Sequence, residues 1–472
     1  SISRVRWLVL AVMGFAAGGV ARAQAPVSGV DAVGAIQQAV VEAIARAEKS
    51  VVAIARVRRE RPGETLNLEA RPEPFGGRRL MAVTPPRPTD PDFIPTEYAT
   101  GVVIDRAGLV VTVYHALGDE SDYYVTLPNR VVYRAKVVAA DPRSDLAVLA
   151  PEDGALPPSK AVEFAPIAFG DAGALEKGQL VIALGNPYAI ARDGQASASW
   201  GIVANLARKA PPAPDEDDPV GRSTIHHFGT LIQTDAKLNQ GTSGGPLINL
   251  KGEMVGLTTS IPAAAGFQEA AGYAMPVDAA FRRALDALKQ GREVEYGFLG
   301  IQLGGVAGGA APREAQGTRV DRVIPGLPAA RQGLKAGDLI LSVNGLAVRD
   351  SDELVRELGK LPLETAVKLA VRRGERNLAL EVPLTKYHVR GKKIVTTAPP
   401  AWRGMRVDYP TAIQETYAFS PAAGISLGDA VVVAEVEKGT PCWEAGLRPG
   451  MLLSHVERTA VRTPKEIGRA HV

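Results

Sequence analysis

A serine nucleophile is the chemistry that this sequence indicates most clearly. Segment 241–246 reads Gly-Thr-Ser-Gly-Gly-Pro, which places Ser243 among residues that favour a tight turn. A catalytic serine needs such a turn, with backbone N–H groups directed at the developing oxyanion. We therefore predict that Ser243 is a nucleophile and that the N–H groups of Gly241, Thr242 and Ser243 form an oxyanion hole. A glycine-rich hairpin without a catalytic role is the alternative.

A serine nucleophile needs a general base, and histidine is the usual one. Among six histidines, His115 lies at the end of an apolar strand predicted over 109–113, so a rigid element presents it. The others lie in the C-terminal part or beside the acidic loop 208–222. A lone histidine there is typically an ordinary surface or core residue. Together with the serine segment, it is predicted to be the base.

The base in turn needs a buried carboxylate that fixes its tautomer. Segment 141–149, Asp-Pro-Arg-Ser-Asp-Leu-Ala-Val-Leu, offers two. Asp141 precedes proline and is typical of a turn, whereas Asp145 leads directly into an apolar strand. We predict Asp145 as the partner of His115. The chain order His115, Asp145, Ser243 is that of chymotrypsin, not of subtilisin or the α/β-hydrolases.

Short strands must position these residues. Gly (49) and Pro (35) are abundant in the 472 residues, which favours turns over long helices. Helical spacing occurs at 31–50 and 277–288, and the first copy of the repeat described below contains a further predicted helix at 352–358. The pattern predicts a mostly β protein with a barrel or sandwich architecture. Strands are predicted at 51–57, 101–105, 109–113, 123–127, 131–139, 179–184, 199–206, 231–234, 246–249 and 254–260.

A long repeat follows the strand-rich part. Gly326, Pro328, Gly333, Leu334 and Gly337 recur 113 residues later as Gly439, Pro441, Gly446, Leu447 and Gly450. A period of this length indicates tandem domains rather than a solenoid. Boundaries near 293 and 395 follow, with 395–402 as a linker. Proline-rich loops are expected at 61–95 and 208–222.

Composition excludes several classes of protein. The net charge of +3 provides no electrostatic footprint for nucleic acid. One cysteine, Cys442, permits neither an intrachain disulfide nor a cysteine zinc site, and a small buried inert thiol is expected. Neither a cofactor nor a metal motif is present, so none is predicted.

Both ends of the chain carry expectations of their own. Arg4 and Arg6 precede an apolar run and the Ala-Arg-Ala of 21–23, which predicts a secretory signal peptide over 1–23 and a periplasmic or secreted protein. An uncleaved N-terminal membrane anchor is the alternative. At the other end the second repeat lacks the helix and strands of the first. We expect 467–472 not to be native and the domain to continue for about 30 residues.

Residues 99–278 resemble the trypsin-like proteases of the HtrA/Deg family. The resemblance implies a chymotrypsin-like pair of packed six-stranded β-barrels with the triad between them, followed by two PDZ domains. The implied domains are the protease at 31–290, the first PDZ domain at 294–390 and a truncated second one at 403–472. The matching segments are 108–115, 141–149, 183–187, 199–203, 232–236, 241–246 and 272–276.

Two positions depart from the family pattern. Val113-Tyr114 stand where the family has Asn-Asn, and Thr242 stands where it has Asn before the serine. The strand after the serine is predicted to line the substrate pocket with Leu257, Thr258 and Thr259. None of these is charged, so a small aliphatic P1 residue is expected rather than a basic one.

The resemblance also implies partners. In the first PDZ-like repeat, Phe298, Leu299, Gly300 and Ile301 match the loop that binds C-terminal carboxylates, and 403–406 is a weaker match. The predicted function is an exported, ATP-independent serine endopeptidase that cleaves unfolded or damaged proteins. We expect a homotrimer or a multiple of one. The alternative is a peptide-binding scaffold or chaperone with a weak or latent barrel.

Overall fold

A computed structural model describes most of the chain. It covers residues 29–59, 68–73, 77–82, 95, 97–156, 162–186, 194–212, 221–259, 271–303, 317–413 and 427–469. The predicted signal peptide, most of the proline-rich loop 61–95 and the last three residues lie outside the described residues. Within them, no helix is both long and apolar enough to cross a membrane.

The first barrel is a ring of six antiparallel strands, closed where β7 pairs with both β6 and β8. Alternate residues point inward, and this barrel's interior is filled by Val, Ile, Leu and Tyr side chains. A separate hairpin, β2–β3, lies outside the ring. The strands are β1 (Val51–Arg58), β2 (Leu68–Glu73), β3 (Gly77–Ala82), β4 (Glu97–Val103), β5 (Val110–Val113), β6 (Ser121–Thr126), β7 (Val132–Asp141) and β8 (Leu146–Pro151).

The second barrel is also closed and has six strands in the order β10-β11-β14-β13-β12-β9. Its inward side chains, among them Val181, Val203 and Leu247, are fully buried. Two closed six-stranded barrels confirm the predicted fold class. The strands are β9 (Leu180–Gly185), β10 (Ser197–Arg208), β11 (Leu231–Thr234), β12 (Pro246–Ile248), β13 (Met254–Thr259) and β14 (Gly272–Pro276).

Two helices pack against the barrels, α1 (Gly29–Ala47) and α2 (Ala279–Lys289). Asp278 caps α2, because its side chain accepts a hydrogen bond of 2.9 Å from the Phe281 N–H. Phe281, Ala284, Leu285 and Leu288 recur at helical spacing and are buried. Each large one contributes about 1.5–3 kcal/mol to stability. Helix α2 thereby fixes the path from the second barrel to the next unit.

The third unit is a strand sandwich with its own core. Its main sheet has the order β16-β17-β18-β20-β21, so β16 lies at an edge. Leu299, Ile340, Leu354 and Val367 are among its fully buried residues. The elements are β15 (Gly297–Phe298), β16 (Ile301–Leu303), β17 (Thr318–Val323), α3 (Pro328–Arg331), β18 (Leu339–Val343), β19 (Leu346–Ala347), α4 (Ser351–Gly359), β20 (Ala366–Arg373), β21 (Arg376–Pro383) and β22 (Thr385–Lys386).

The predicted linker contains a short strand. Residues of β23 (Ile394–Val395) pair antiparallel with β7, so the chain returns to the first barrel before it continues. The elements that follow are β24 (Met405–Asp408), α5 (Pro410–Ile413), β25 (Val431–Val436), α6 (Pro441–Glu444), β26 (Leu452–Leu453), β27 (His455–Val456), β28 (Thr459–Ala460) and α7 (Pro464–Arg469).

Backbone geometry explains why the residues that recur after 113 positions are mostly glycine and proline. Helices α3 and α6 both begin with the repeated proline, at Pro328 and Pro441. The glycines that follow them, Gly333 and Gly446, have φ of 81° and 86°. Only glycine adopts this left-handed region without strain. Cys442 is buried at the place of Ala329, and burial raises the pKa of its thiol.

Candidate active site

His115 and Asp145 form the centre of the site. A short 3₁₀ turn, Tyr114–Ala116, follows β5 directly and carries His115. The Nδ1 atom of His115 lies 2.8 Å from Oδ2 and 3.0 Å from Oδ1 of Asp145. The main-chain N–H of His115 donates to the same Oδ1 at 3.0 Å. This contact places the proton of the neutral imidazole on Nδ1 and leaves Nε2 as the basic nitrogen.

The surroundings of Asp145 explain how it orients the histidine. Asp145 is buried and has a φ of 55°, which is unusual for a residue other than glycine. The Thr259 hydroxyl lies 3.4 Å from its Oδ2. Burial lowers the pKa of His115, but the Asp145 carboxylate outweighs burial and the net pKa is raised. The structure thus brings Asp145 to His115, while Asp141 contacts other groups.

Ser243 lies in a turn that the neighbouring strands hold in place. Its carbonyl accepts a hydrogen bond of 2.9 Å from the Thr100 N–H, and the Gly244 N–H donates to the Thr258 carbonyl at 2.8 Å. Thr258 is the neighbour of Thr259, which contacts Asp145. Strand β13 therefore ties the serine turn to the carboxylate. Gly244 is required here, since a Cβ would lie 2.1 Å from the Thr100 carbonyl oxygen.

Residues 239–242, here named the oxyanion turn, precede Ser243. The Thr242 N–H donates to the Asn239 carbonyl at 3.1 Å, and Gly241 has a φ of 93°. This combination defines a type II turn, in which the third residue has positive φ. The hydrogen bond removes the Thr242 N–H from the predicted set of oxyanion donors. The N–H groups of Gly241 and Ser243 remain as candidates.

Side-chain contacts hold the oxyanion turn rigidly. The Thr242 hydroxyl donates to the Asn239 carbonyl at 2.6 Å, and the Thr100 hydroxyl donates to the Gly241 carbonyl at 2.7 Å. A Cβ at Gly241 would lie 2.6 Å from the Tyr98 ring and 2.7 Å from the Asn186 carbonyl oxygen. Thr242, which replaces the asparagine of the family pattern, thus supports the turn from within.

The side chains predicted to line the substrate pocket are buried. Leu257, Thr258 and Thr259 are 0%, 1% and 3% exposed. The Thr258 hydroxyl donates to the Thr242 carbonyl at 2.6 Å, and Thr259 faces Asp145. The three side chains are therefore buried supports of the site and do not line an open cleft. Their lack of charge carries no information about the P1 residue.

Tyr114, the other departure from the family pattern, contacts the chain segment that precedes β23. Its hydroxyl donates to the Lys392 carbonyl at 3.0 Å, in the segment that leads into β23. Lys392 also forms an ion pair with Asp119. Tyr114 thus anchors the returning chain to the first barrel.

The predicted peptide-binding loop lies at the edge of the third unit. Leu299 is buried, and its carbonyl accepts from the Ala329 N–H at 3.1 Å. Gly300 has a φ of 85°, and a Cβ there would lie 2.5 Å from Leu327. Ile301 opens the edge strand β16, and the half-buried Phe298 packs edge-on against Tyr387. An edge strand beside such a loop is able to add a peptide strand.

Several supporting residues of the site have no recognisable signature in the sequence. Tyr98 and Thr100 hold the oxyanion turn from β4, more than 100 positions away in the chain. Their types are ordinary for a strand. Among the described residues, no three His, Cys, Asp or Glu side chains gather to hold a metal ion.

Known proteins are similar to this chain over the barrels and the third unit. Residues 99–257 match the family model of the trypsin-like peptidase domain, and residues 297–384 match that of the PDZ domain. A probable periplasmic serine endoprotease, DegP-like, from Chlamydia trachomatis is 30% identical over 379 residues, which are 78% of this chain and 69% of the relative. Its counterpart from Pseudomonas putida is 31% identical over 377 residues, 78% of this chain and 72% of the relative.

Among solved structures, the HtrA-type protease AlgW with a decapeptide is similar in fold. The TM-score is 0.51 at 20% sequence identity, and the match covers 76% of this chain and 99% of that chain. At this identity the structural similarity supports the fold of the barrels and the PDZ unit only. The evidence for serine endoprotease activity comes from the relatives found by sequence.

Proposed function

This chain belongs to the HtrA/DegP family of serine endoproteases, and from that premise we propose that it cleaves unfolded polypeptides with a triad of His115, Asp145 and Ser243. The observation that carries the assignment is the contact of both Asp145 carboxylate oxygens with Nδ1 of His115. It leaves Nε2 as a base, and β13 connects the same carboxylate to the serine turn.

The first half of the reaction forms an acyl-enzyme. Ser243 Oγ attacks the scissile carbonyl carbon while its proton passes to His115 Nε2, and the carbonyl π electrons move to oxygen. The resulting oxyanion accepts hydrogen bonds from the Gly241 and Ser243 N–H groups. The C–N bond then breaks, and the His115 proton passes to the leaving amine. Asp145 stays ionised and stabilises the imidazolium.

Water completes the reaction. A water molecule gives a proton to His115 Nε2 as its oxygen attacks the acyl carbon. Collapse of the second tetrahedral intermediate returns that proton to Ser243 Oγ and releases the carboxylic acid. The rigid oxyanion turn supports both steps, because its donors need no rearrangement when charge develops.

A C-terminal peptide is the proposed ligand of the PDZ unit. The peptide would extend the sheet along β16 beside α4, with its carboxylate at the N–H groups of 299–301. We further propose that the protein acts in the periplasm, since the relatives are named periplasmic. A homotrimer or a multiple of one follows from the family resemblance only. Light scattering at micromolar concentration tests it, and a monomer contradicts it.

Casein digestion tests the proposed activity. Purified protein is incubated with casein beside Ser243→Ala, with heat and with added C-terminal peptides as activating conditions. We expect degradation by the wild type only. If both samples leave casein intact under all conditions, the chain is a scaffold or chaperone instead. If Ser243→Ala degrades casein as the wild type does, the serine assignment is wrong.

A further inference from the structure

The turn that carries Asp145 is held from outside the barrel by residues of the PDZ unit. Residues 141–145, here named the aspartate turn, connect β7 to β8. Oδ2 of Asp141 accepts three hydrogen bonds, from the Ser144 N–H at 2.8 Å, the Ser144 hydroxyl at 2.6 Å and the Tyr296 hydroxyl at 2.5 Å. Asp141 thus fixes the residue directly before Asp145, and Tyr296 fixes Asp141.

Burial makes this hydrogen bond important. Asp141 is 1% exposed, and its Oδ1 has no partner among the described atoms. A buried carboxylate is stable only with hydrogen bonds to its charge, so losing one of three donors is costly. Burial together with the Asp141 carboxylate raises the pKa of Tyr296, so its hydroxyl stays protonated and donates.

Two aromatic rings and a histidine also contact the aspartate turn. The Arg143 guanidinium lies 4.0 Å from the ring centre of Tyr387 and 5.3 Å from that of Tyr296. His226 Nε2 donates to the Ser144 carbonyl at 3.0 Å. The central residues of the turn are therefore fixed by contacts outside the first barrel.

Tyr296 and Tyr387 are the residues directly before and after the PDZ strands. Strand β15 begins at Gly297, and β22 ends at Lys386. The Tyr387 N–H donates to the Tyr296 carbonyl at 2.7 Å, which joins the two ends of the unit. The point where the PDZ unit attaches to the protease is thus also the support of the aspartate turn.

We propose that Tyr296 is a positioning residue for catalysis, whose hydroxyl holds Asp141 and thereby keeps the Asp145 carboxylate on His115. This inference rests on the triad proposed above. It makes the rate of the chemical step depend on how the PDZ unit is seated, through one hydroxyl group. A misplaced catalytic group costs up to about a hundredfold in rate.

Tyr296→Phe in the full-length protein tests this inference. It removes the hydroxyl and retains the ring beside Arg143. The matched control is Tyr387→Phe, since the Tyr387 hydroxyl makes no hydrogen bond in the described part of the chain. We expect Tyr296→Phe to slow the labelling of Ser243 by a fluorophosphonate about tenfold and to lower kcat with KM unchanged. Tyr387→Phe is expected to react as the wild type.

The pH profile separates positioning from a merely structural role. Because Asp145 raises the pKa of His115, a loosened carboxylate should move the half-maximal pH of labelling downward in Tyr296→Phe. If the labelling rate and its pH profile are both unchanged in Tyr296→Phe, the inference is wrong. It is also wrong if the pH profile is unchanged and the labelling rate falls only in proportion to the folded fraction measured by thermal unfolding. If Tyr296→Phe fails to fold, Asp141→Asn probes the same hydrogen bond with a weaker acceptor, and a wild-type rate and profile there overturns the inference. A wild type that is not labelled at Ser243 refutes the proposed function instead.

Discussion

Gly244→Ala tests how closely the serine turn is tied to the first barrel. The position has a φ of 86°, and a Cβ would lie 2.1 Å from the Thr100 carbonyl oxygen and 2.4 Å from the Thr112 hydroxyl. The Thr112 hydroxyl already donates to that carbonyl at 2.8 Å, so neither group is free to retreat.

The expected effect has two parts. A left-handed backbone costs a non-glycine residue about 1–2 kcal/mol in stability. Relief of the clash needs a further displacement of about 1 Å next to Ser243, and a displacement of that size costs about a hundredfold in rate. We expect fluorophosphonate labelling of Gly244→Ala to fall by about that factor.

Gly178→Ala is the matched control. Gly178 has a φ of 91° in the same barrel, but no atom lies within 4 Å of its Cβ position. This variant should lose the same 1–2 kcal/mol, measured by urea unfolding, and keep the wild-type labelling rate. Equal labelling of Gly244→Ala and Gly178→Ala would refute the argument that contact with Thr100 positions the serine.

Three further predictions concern the site and the PDZ loop. Asp145→Asn should lower kcat by about 10⁴-fold and shift the rising limb of the pH–rate profile to lower pH. The limb shifts because His115 acts as a base only when neutral and Asp145 raises its pKa, so an unchanged limb would contradict this prediction. Thr259→Val removes a hydroxyl beside Asp145 and should slow turnover several-fold at unchanged KM, and full activity in a peptide assay would show that the contact is dispensable. Gly300→Ala should abolish binding of a fluorescent decapeptide that ends in a free Val carboxylate, measured by fluorescence anisotropy. Gly333→Ala is the control and should bind the peptide, because Gly333 also has a positive φ but no atom lies within 4 Å of its Cβ position. Equal affinities of the two variants would contradict the loop assignment.

The strands and the tandem repeat were predictable because their signals are local, whereas the pair of barrels and the PDZ fold followed from the family resemblance. Alternating apolar residues predict strands, and the repeated glycines mark turns that need positive φ, as at Gly333 and Gly446. The choice of Asp145 over Asp141 also rested on a local feature, the apolar strand that follows it. These inferences needed no knowledge of which strands meet.

The directions of individual backbone and side-chain groups could not be predicted from the sequence. Nothing in the order of residues shows that the Thr242 N–H turns toward Asn239, or that the Thr258 and Thr259 hydroxyls contact the Thr242 carbonyl and Asp145. The support of Asp141 by Tyr296 joins residues 155 positions apart. Such contacts form when separate units pack together, and the types of the two residues do not indicate that they will meet.

The central claim is that Ser243 is a nucleophile activated by His115, and covalent labelling tests it most directly. The wild type, His115→Ala and Ser243→Ala are treated with a fluorophosphonate, and the modified peptide is mapped by mass spectrometry. Nucleophile and base act as a unit, so the label should lie on Ser243 in the wild type and be absent from both variants. Labelling of the wild type at another serine, or undiminished labelling of His115→Ala, would contradict the account.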